Sequence, residues 1–325
     1  MSDMNKKFLD FMDKYRGAKM AVGVSGGIDS MCLLYWLHEI GADVVCLHVN
    51  HKLRDVADIE TEYVCGVCDQ LNIPYKVFYW DDEKPETGLE AAAREARYKM
   101  MTDFCHDNGI EYLLTAHQSD DQIETFLMNL SRGSGLYGLA AMLPQSKRDG
   151  ITILRPLLDV SRSELKQYCD DNNIKYFIDS MNSDDHYKRV KIRQNRHLLY
   201  DKLDISDARI LLAIENLGRT REWMDKYIEN RIEMVIRSWG AMFGADFLFD
   251  EAEEIRLKFI GLLIQRIGGD EYPVRLNSLR NALSNLQSDC KFTLGHCTIR
   301  RLNDRILIVP EGKRTSFRKR HEKRK

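Results

Sequence analysis

No stretch of this sequence approaches the roughly 20 consecutive apolar residues that a bilayer-crossing helix needs. The chain is therefore expected to span no membrane. Met1 to Gly17 mixes charged and apolar positions without a continuous apolar segment, so it does not read as a signal peptide. There is no Gly-x4-Gly-Lys-Ser/Thr, which excludes an ordinary P-loop nucleotidase. Cys65-Gly66-Val67-Cys68 has metal or redox spacing but lacks a second close pair, because Cys290 and Cys297 stand too far apart. Two helix-face cysteines are the plainer reading. The eight cysteines are expected as reduced thiols of a cytoplasmic protein. No internal repeat is present.

What is present is a foldable composition. Apolar residues make up 44% and charged residues 30%, enough to bury a core, and 325 residues suggest about two domains. The net charge of -2 hides an asymmetry: Lys313 to Lys325 holds eight Lys or Arg against one Glu. Such a tail suits either an arm for nucleic acid or a solvated, disordered terminus.

Apolar runs at Met20–Ser25, Asp43–Asn50, Pro74–Trp80 and Ile110–Ala116 read as strands. Asp29–Ile40, Asp58–Leu71, Gly88–Asp107 and Asp120–Ser131 read as the helices between and after them. That alternation predicts a parallel sheet with flanking helices, an α/β fold. On such a sheet, ligands sit at the carboxyl ends of strands. The loops at 25–30, 50–57 and 116–121 then face one crevice. Beyond them, Ile151–Leu157 reads as extended, and Ser161–Asn172 as a helix with a Ser161/Glu164 capping box. Asp179–Asp185 reads as polar loop and Arg189–Lys202 as a basic helix. From about 206 the rhythm changes to helices over Ser206–Trp239, Glu251–Ile267 and Leu276–Leu286. A strand pair at 291–309 turns at Asn303-Asp304. The expected domains are 1–205, a smaller, mainly helical 206–312 ending in a β-hairpin, and the tail 313–325.

The loop Ser25-Gly26-Gly27-Ile28-Asp29-Ser30 joins a strand to a helix. Adjacent glycines let backbone N–H groups approach a phosphate, and the helix N-terminus favours an anion. Ser25 and Ser30 add hydroxyl donors. Asp29 would repel a phosphate unless a cation lay between, which implies Mg2+. Gly133-Ser134-Gly135-Leu136-Tyr137-Gly138 mimics a dinucleotide fingerprint but follows a helix, so the context that gives that pattern meaning is missing.

The Ser25–Ser30 loop resembles that of the N-type ATP pyrophosphatases, of the adenine nucleotide alpha hydrolase-like fold, which hold ATP pyrophosphate there. Further segments narrow the resemblance. They are Leu47-His48-Val49-Asn50-His51-Lys52-Leu53-Arg54, the GLEAAAREARY run Gly88–Tyr98, and TAHQSDDQIETFLMNLSRGSGLYGLAAM over Thr115–Met142. Arg155-Pro156-Leu157-Leu158 and DSMNSDDHYKRVKIR over Asp179–Arg193 complete the set. In this order they are similar to the tRNA(Ile)-lysidine synthetase family, closely over about 20–200 and loosely beyond. The resemblance implies adenylation of the wobble cytidine of a CAU-anticodon tRNA(Ile) with loss of pyrophosphate. Free L-lysine then displaces AMP to form lysidine. It carries the catalytic and substrate roles to Asp29, Arg97, His117, Asp121, Glu124 and Arg189. Asp29 and Asp121 could share Mg2+, and Asp121 with Glu124 suits a lysine ammonium. The oligomeric state stays open, a homodimer being one option.

Each residue has a plainer alternative. Asp121 and Glu124 can be acids at a helix start, His117 an interior histidine, and Arg97 a surface decoration. Three positions depart from the family pattern: Lys52 replaces a usual Gly, Gln118 a common His, and Val190 an Asn. A runner-up is a tRNA 2-thiolase on the same loop, which would give Cys65 and Cys68 a sulfur or iron–sulfur role. A non-catalytic RNA-binding protein using the basic helix and tail is the third.

Overall fold

The computed structural model describes residues 3–53, 56–85, 87–177, 188–269 and 274–312. Arg54, the loop Asp179–Asp185 and the tail Lys313–Lys325 lie outside the described residues. The chain forms two compact units, Met1–Gly218 and Arg219–Lys325.

The first unit begins with α1 (Asp3–Met12), β1 (Met20–Gly23), α2 (Ile28–Glu39), β2 (Val44–Asn50) and α3 (Ala57–Leu71). There follow β3 (Tyr75–Tyr79), α4 (Leu89–Asp107), β4 (Tyr112–Leu114), α5 (Ser119–Leu130) and the short α6 (Leu136–Leu139). β5 (Gln145–Arg148), β6 (Ile151–Leu154) and α7 (Arg162–Asp171) complete the sheet and its cover. Sheet order is β3-β2-β1-β4-β6-β5, parallel except for β5. The chain runs outward from β1 to β3 and then returns to place β4 on the other side of β1. The direction of winding thus reverses between β1 and β4, where a crevice opens at the strand ends.

Period-two alternation explains why these strands read as unbroken apolar runs. Met20 and Val22 of β1 enter one core with Val44 and Cys46, while Ala21 enters a second core with Val45 and Leu47. Both faces are covered, as buried parallel strands require. The first core packs Trp36 of α2 against Phe8 of α1 and Tyr168 of α7. The second packs Tyr98, Met101 and Cys105 of α4. α2 is apolar nearly all round, since it is buried nearly all round. The Ser161/Glu164 capping box forms at the start of α7 as expected.

The antiparallel β5–β6 pair was not expected. Its turn is Asp149-Gly150, with φ of 48° and 77°, the left-handed pair that a two-residue hairpin demands. That dipeptide was the available signal. The expected single helix Arg189–Lys202 is two, α8 (Lys188–Asn195) and α9 (His197–Leu203). Between them Arg196 pairs with Asp120 and Asp207, each at 3.0 Å.

α10 (Asp207–Val235) contains the division between the units. Ile210 and Ile214 on its first turns pack with Ile123 of α5, which draws the first unit past 205. In the second unit, β7 (Ile236–Arg237) and β8 (Gly240–Gly244) occupy what the sequence presents as helix and linker. α11 (Ala245–Phe249), α12 (Glu253–Gly268) and α13 (Leu276–Asn285) precede β9 (Cys290–Leu294), β10 (Cys297–Leu302) and β11 (Arg305–Pro310). The hairpin turning at Asn303-Asp304 is part of a five-stranded antiparallel sheet, β7-β8-β11-β10-β9. No helix among the described residues is long and apolar enough to cross a membrane.

Candidate active site

The Ser25–Ser30 loop sits at the mouth of the crevice between β1 and β4. Ser30 organises it: its hydroxyl donates to the Gly27 carbonyl at 3.0 Å and accepts from the Ser25 N–H at 3.1 Å. Gly26 has φ of 87°, and a Cβ there would meet Val64 and Phe177 at 3.5 and 3.7 Å. Phe177 comes back over the loop, its N–H donating to the Gly26 carbonyl at 2.9 Å. Helical bonding starts only at the Met31 N–H, so the N–H groups ahead of it have no helical carbonyl partner.

β2 supports the loop from the side. His48 is buried; its Nδ1–H donates to the Val24 carbonyl at 2.8 Å, and Nε2 lies 3.0 Å from Thr61 Oγ1. Burial holds the His48 pKa below its ordinary value, so the ring is neutral. Asn50 donates to Asp58 at 2.8 Å and accepts from the Lys52 N–H at 2.8 Å.

Two cavities meet here. The first, about 340 Å³, is lined by the loop together with Asn50, Thr115 and His117. The second, about 370 Å³, is lined by Gln118, Asp121, Arg94, Arg162, Arg189 and Arg193 among others. Asp29 and Arg97 line both. Of the expected loop residues, Gly26 and Ile28 line neither cavity; the expected catalytic residues are brought together with one exception. Glu124 is 0% exposed and lines neither cavity. It lies beneath α8, with Arg193 Nε at 2.6 Å and Arg189 Nε at 3.1 Å from its two oxygens.

Asp29 is the electrostatic centre. Burial, and then the charge of Asp121, push its carboxyl up to about 6. Its Oδ1 is buried and accepts no hydrogen bond among the described residues. Two neighbouring carboxylates and an unsatisfied buried oxygen fit a divalent cation. Asp121 Oδ2 accepts from the Gln118 N–H at 3.1 Å, as part of a capping box in which the Gln118 side chain accepts from the Asp120 N–H at 2.6 Å. The helix-start reading of Asp121 thus holds for one of its oxygens. His117 Nδ1 lies 2.9 Å from Thr115 Oγ1. Desolvation, followed by the charges of Arg94, Arg155, Arg97 and Arg189, drives its pKa well below the ordinary value. It is a neutral hydrogen-bonding group, not a cation. Burial also lowers the pKa of Arg97, with Arg94 and Arg148 adding to the effect.

Sequence reasoning missed Arg94, Arg162 and Arg193 as cavity residues. Arg94 and Arg193 belong to segments it had marked, Gly88–Tyr98 and Asp179–Arg193; their helical spacing from Arg97 and Arg189 was the signal.

Residues 1–198 match the PP-loop domain family. A tRNA(Ile)-lysidine synthase of Wolbachia sp. subsp. Brugia malayi (strain TRS) is 32% identical over 332 residues, covering 95% of this chain and 75% of that protein. One of Rickettsia bellii (strain OSU 85-389) is 34% identical over 306 residues, covering 90% and 70%. The chain belongs to the tRNA(Ile)-lysidine synthase family. Among solved structures, a U34-tRNA thiolase NcsA from Methanococcus maripaludis with its [4Fe-4S] cluster shares the fold. The TM-score is 0.58 at 19% identity, over 67% of this chain and 78% of that one.

The three departures from the family pattern each have a visible setting. Lys52 adopts φ of 51°, the left-handed conformation for which the family's glycine is suited. Its ammonium reaches Asp81 at 2.6 Å. Gln118 takes over the N-cap of α5. Val190 is buried at the second cavity, and Arg189 beside it still reaches Glu124. Cys65 and Cys68 lie on α3, with Cys68 in the core against Cys46; neither lines either of these two cavities. Among the described residues, no group of three or more His, Cys, Asp or Glu could hold a metal.

Proposed function

We propose that this protein uses ATP to ligate free L-lysine to C2 of the wobble cytidine of a CAU-anticodon tRNA(Ile). The observation that carries the reading is the pair of adjoining cavities that share Asp29 and Arg97. The first takes ATP, its phosphates running toward the Ser25–Ser30 loop. The second takes the cytidine and lysine. The α-phosphate lies where the two meet.

Cytidine O2 attacks the α-phosphorus, forming a P–O bond as the bond to the leaving pyrophosphate breaks. The lysine ε-amine then adds at C2, the C–O bond breaks, AMP leaves and the amine gives up its proton. The loop N–H groups and the Ser25 and Ser30 hydroxyls hold the pyrophosphate. Arg97 faces charge building on the α-phosphate. Neutral His117, fixed by Thr115, donates to a phosphate oxygen or takes the amine's proton. Asp29 and Asp121 would hold Mg2+, which would neutralise charge on the leaving pyrophosphate. Asp121 faces the second cavity and attracts the lysine ammonium. Arg189 and Arg193, held by Glu124, supply its positive wall.

The test is incorporation of labelled lysine into tRNA(Ile)(CAU) with Mg-ATP, with pyrophosphate release measured in the same reaction. The expected result is incorporation that requires all three substrates and is lost in Asp29→Ala. Sulfur transfer without lysine incorporation would overturn the proposal in favour of a thiolase. tRNA binding without pyrophosphate release would indicate a non-catalytic RNA-binding protein.

A further inference from the structure

The second cavity is lined by Arg94, Arg97, Arg162, Arg189 and Arg193 against the carboxylates of Asp29, Glu90 and Asp121. Arg189 and Arg193 share the buried Glu124. Arg162 stands close enough to Asp29 to lower that carboxyl's pKa. Behind the wall, Arg148 pairs with Glu95 at 2.5 Å, and Arg155 donates to the Leu143 carbonyl at 2.9 Å and to Ser146 at 3.0 Å. Arg94 and Arg97 are different. Neither has a carboxylate partner among the described residues; each has only the ring of Tyr98, 5.1 and 5.7 Å from the guanidinium carbon. Arg148 lies over the same ring at 4.4 Å. Among the described residues, only one of the three guanidiniums around this tyrosine, that of Arg148, has a carboxylate partner.

Arg94 and Arg97 are i and i+3 on α4, hence on one face and about 4.5 Å apart along the axis. Arg97 lines both cavities, whereas Arg94 lines only the second and is exposed. The pair thus spans the distance from the nucleotide to the acceptor. With Arg97 at the ATP α-phosphate, Arg94 faces the acceptor side, one helical turn away. A nucleotide presenting its base to the α-phosphate brings its own backbone phosphate into this region. A guanidinium matches that group through two parallel N–H donors.

We infer that Arg94 binds the RNA phosphodiester beside the reacting cytidine, fixing the register of the base against ATP. This rests on the reading of the second cavity as the acceptor site. Arg94 is a positioning residue and touches no reacting atom. Arg97 works on the bond being made, and Arg94 on where the RNA lies.

Arg94→Met keeps an unbranched apolar stem and removes the guanidinium that lies over Tyr98. The measurements are filter binding of tRNA(Ile)(CAU) across a salt series, together with KM for tRNA and for ATP. The expected result is an affinity and tRNA KM weakened about tenfold, with ATP KM unchanged. The slope of log affinity against log salt should become shallower by about 0.7, the value for one single-stranded phosphate contact. Arg94→Lys should recover the slope and only part of the affinity, because an ammonium lacks the planar fork. An unchanged slope and affinity, or a raised ATP KM, would overturn the inference. Binding needs no turnover, so the two proposals fail separately. A wild-type protein that binds tRNA with an Arg94-dependent slope but incorporates no lysine would refute the ligase and leave the phosphate contact standing.

Discussion

Glu124 is fully buried and takes a hydrogen bond from Arg193 Nε at 2.6 Å, while Arg189 Nε stands 3.1 Å from its other oxygen. One acid on α5 thereby fixes two guanidiniums of α8. Burial raises the Glu124 pKa, and Arg193 opposes that shift. Glu124→Gln keeps the shape and removes the charge that both arginines face. Breaking a buried pair costs about 3–5 kcal/mol; with both arginines about a third exposed, roughly 2–3 kcal/mol is expected here. Urea unfolding should show that loss, and lysine incorporation should fall with tRNA KM raised. Unchanged stability in Glu124→Gln would show that the pair does not hold α8.

Lys52 offers a cleaner backbone test. Lys52→Gly and Lys52→Ala both lose the exposed pair with Asp81, so their difference isolates the left-handed φ of 51°. Glycine should melt higher than alanine. The reverse order would mean that the position is not strained.

Acid sensitivity follows from two histidines. His48 and His117 are both held below their ordinary pKa. The folded protein therefore binds fewer protons than the unfolded chain once pH drops past about 6.5. Stability is full above that value and is lost as pH falls toward the folded pKa values. Asp29, pushed up to about 6, works in the opposite sense over the same range, so the readout is the comparison: from about pH 7.5 to 5.5 the urea midpoint of His48→Gln should fall less steeply than that of the parent protein. Equal slopes in the two proteins would remove His48 from the explanation.

The cysteines separate the two enzyme readings. Cys65 is half-buried and Cys68 is fully buried, and neither lines either cavity of the candidate site. Cys65→Ser should leave lysine incorporation unchanged. Cys68→Ser should cost about 1–2 kcal/mol by burying a hydroxyl, and Cys68→Ala should keep activity. Loss of activity in a stably folded double variant would favour sulfur chemistry.

Much of the first unit was legible because its signals are local. Runs such as Val44–Asn50, buried on both faces, show themselves as apolar stretches, and the Ser161/Glu164 cap as a spacing. β5 was missed although Asp149-Gly150 announces its turn, because Gln145–Arg148 is polar and forms an edge strand. β7 and β8 were missed because Trp239, Met242 and their neighbours do not alternate cleanly, and pairing with distant β11 decides their state. At the site, the residue types were legible and their pairings were not. Glu124 reads as a cavity acid by spacing from Asp121, but it is turned under α8.

The sequence by itself determined the α/β alternation, the glycine-rich loop, and the acids, histidine and arginines gathered near strand ends. Those depend on contacts within a few residues, or on the period of a strand or helix. Only the tertiary structure decided that Asp29 and Arg97 stand where two cavities join. It also decided that Glu124 faces Arg189 and Arg193, and that Arg94 has no ion-pair partner among the described residues. Each of these is a pairing between segments distant in the chain. Such pairings are set by how α4, α5 and α8 pack, a relation that no local pattern encodes.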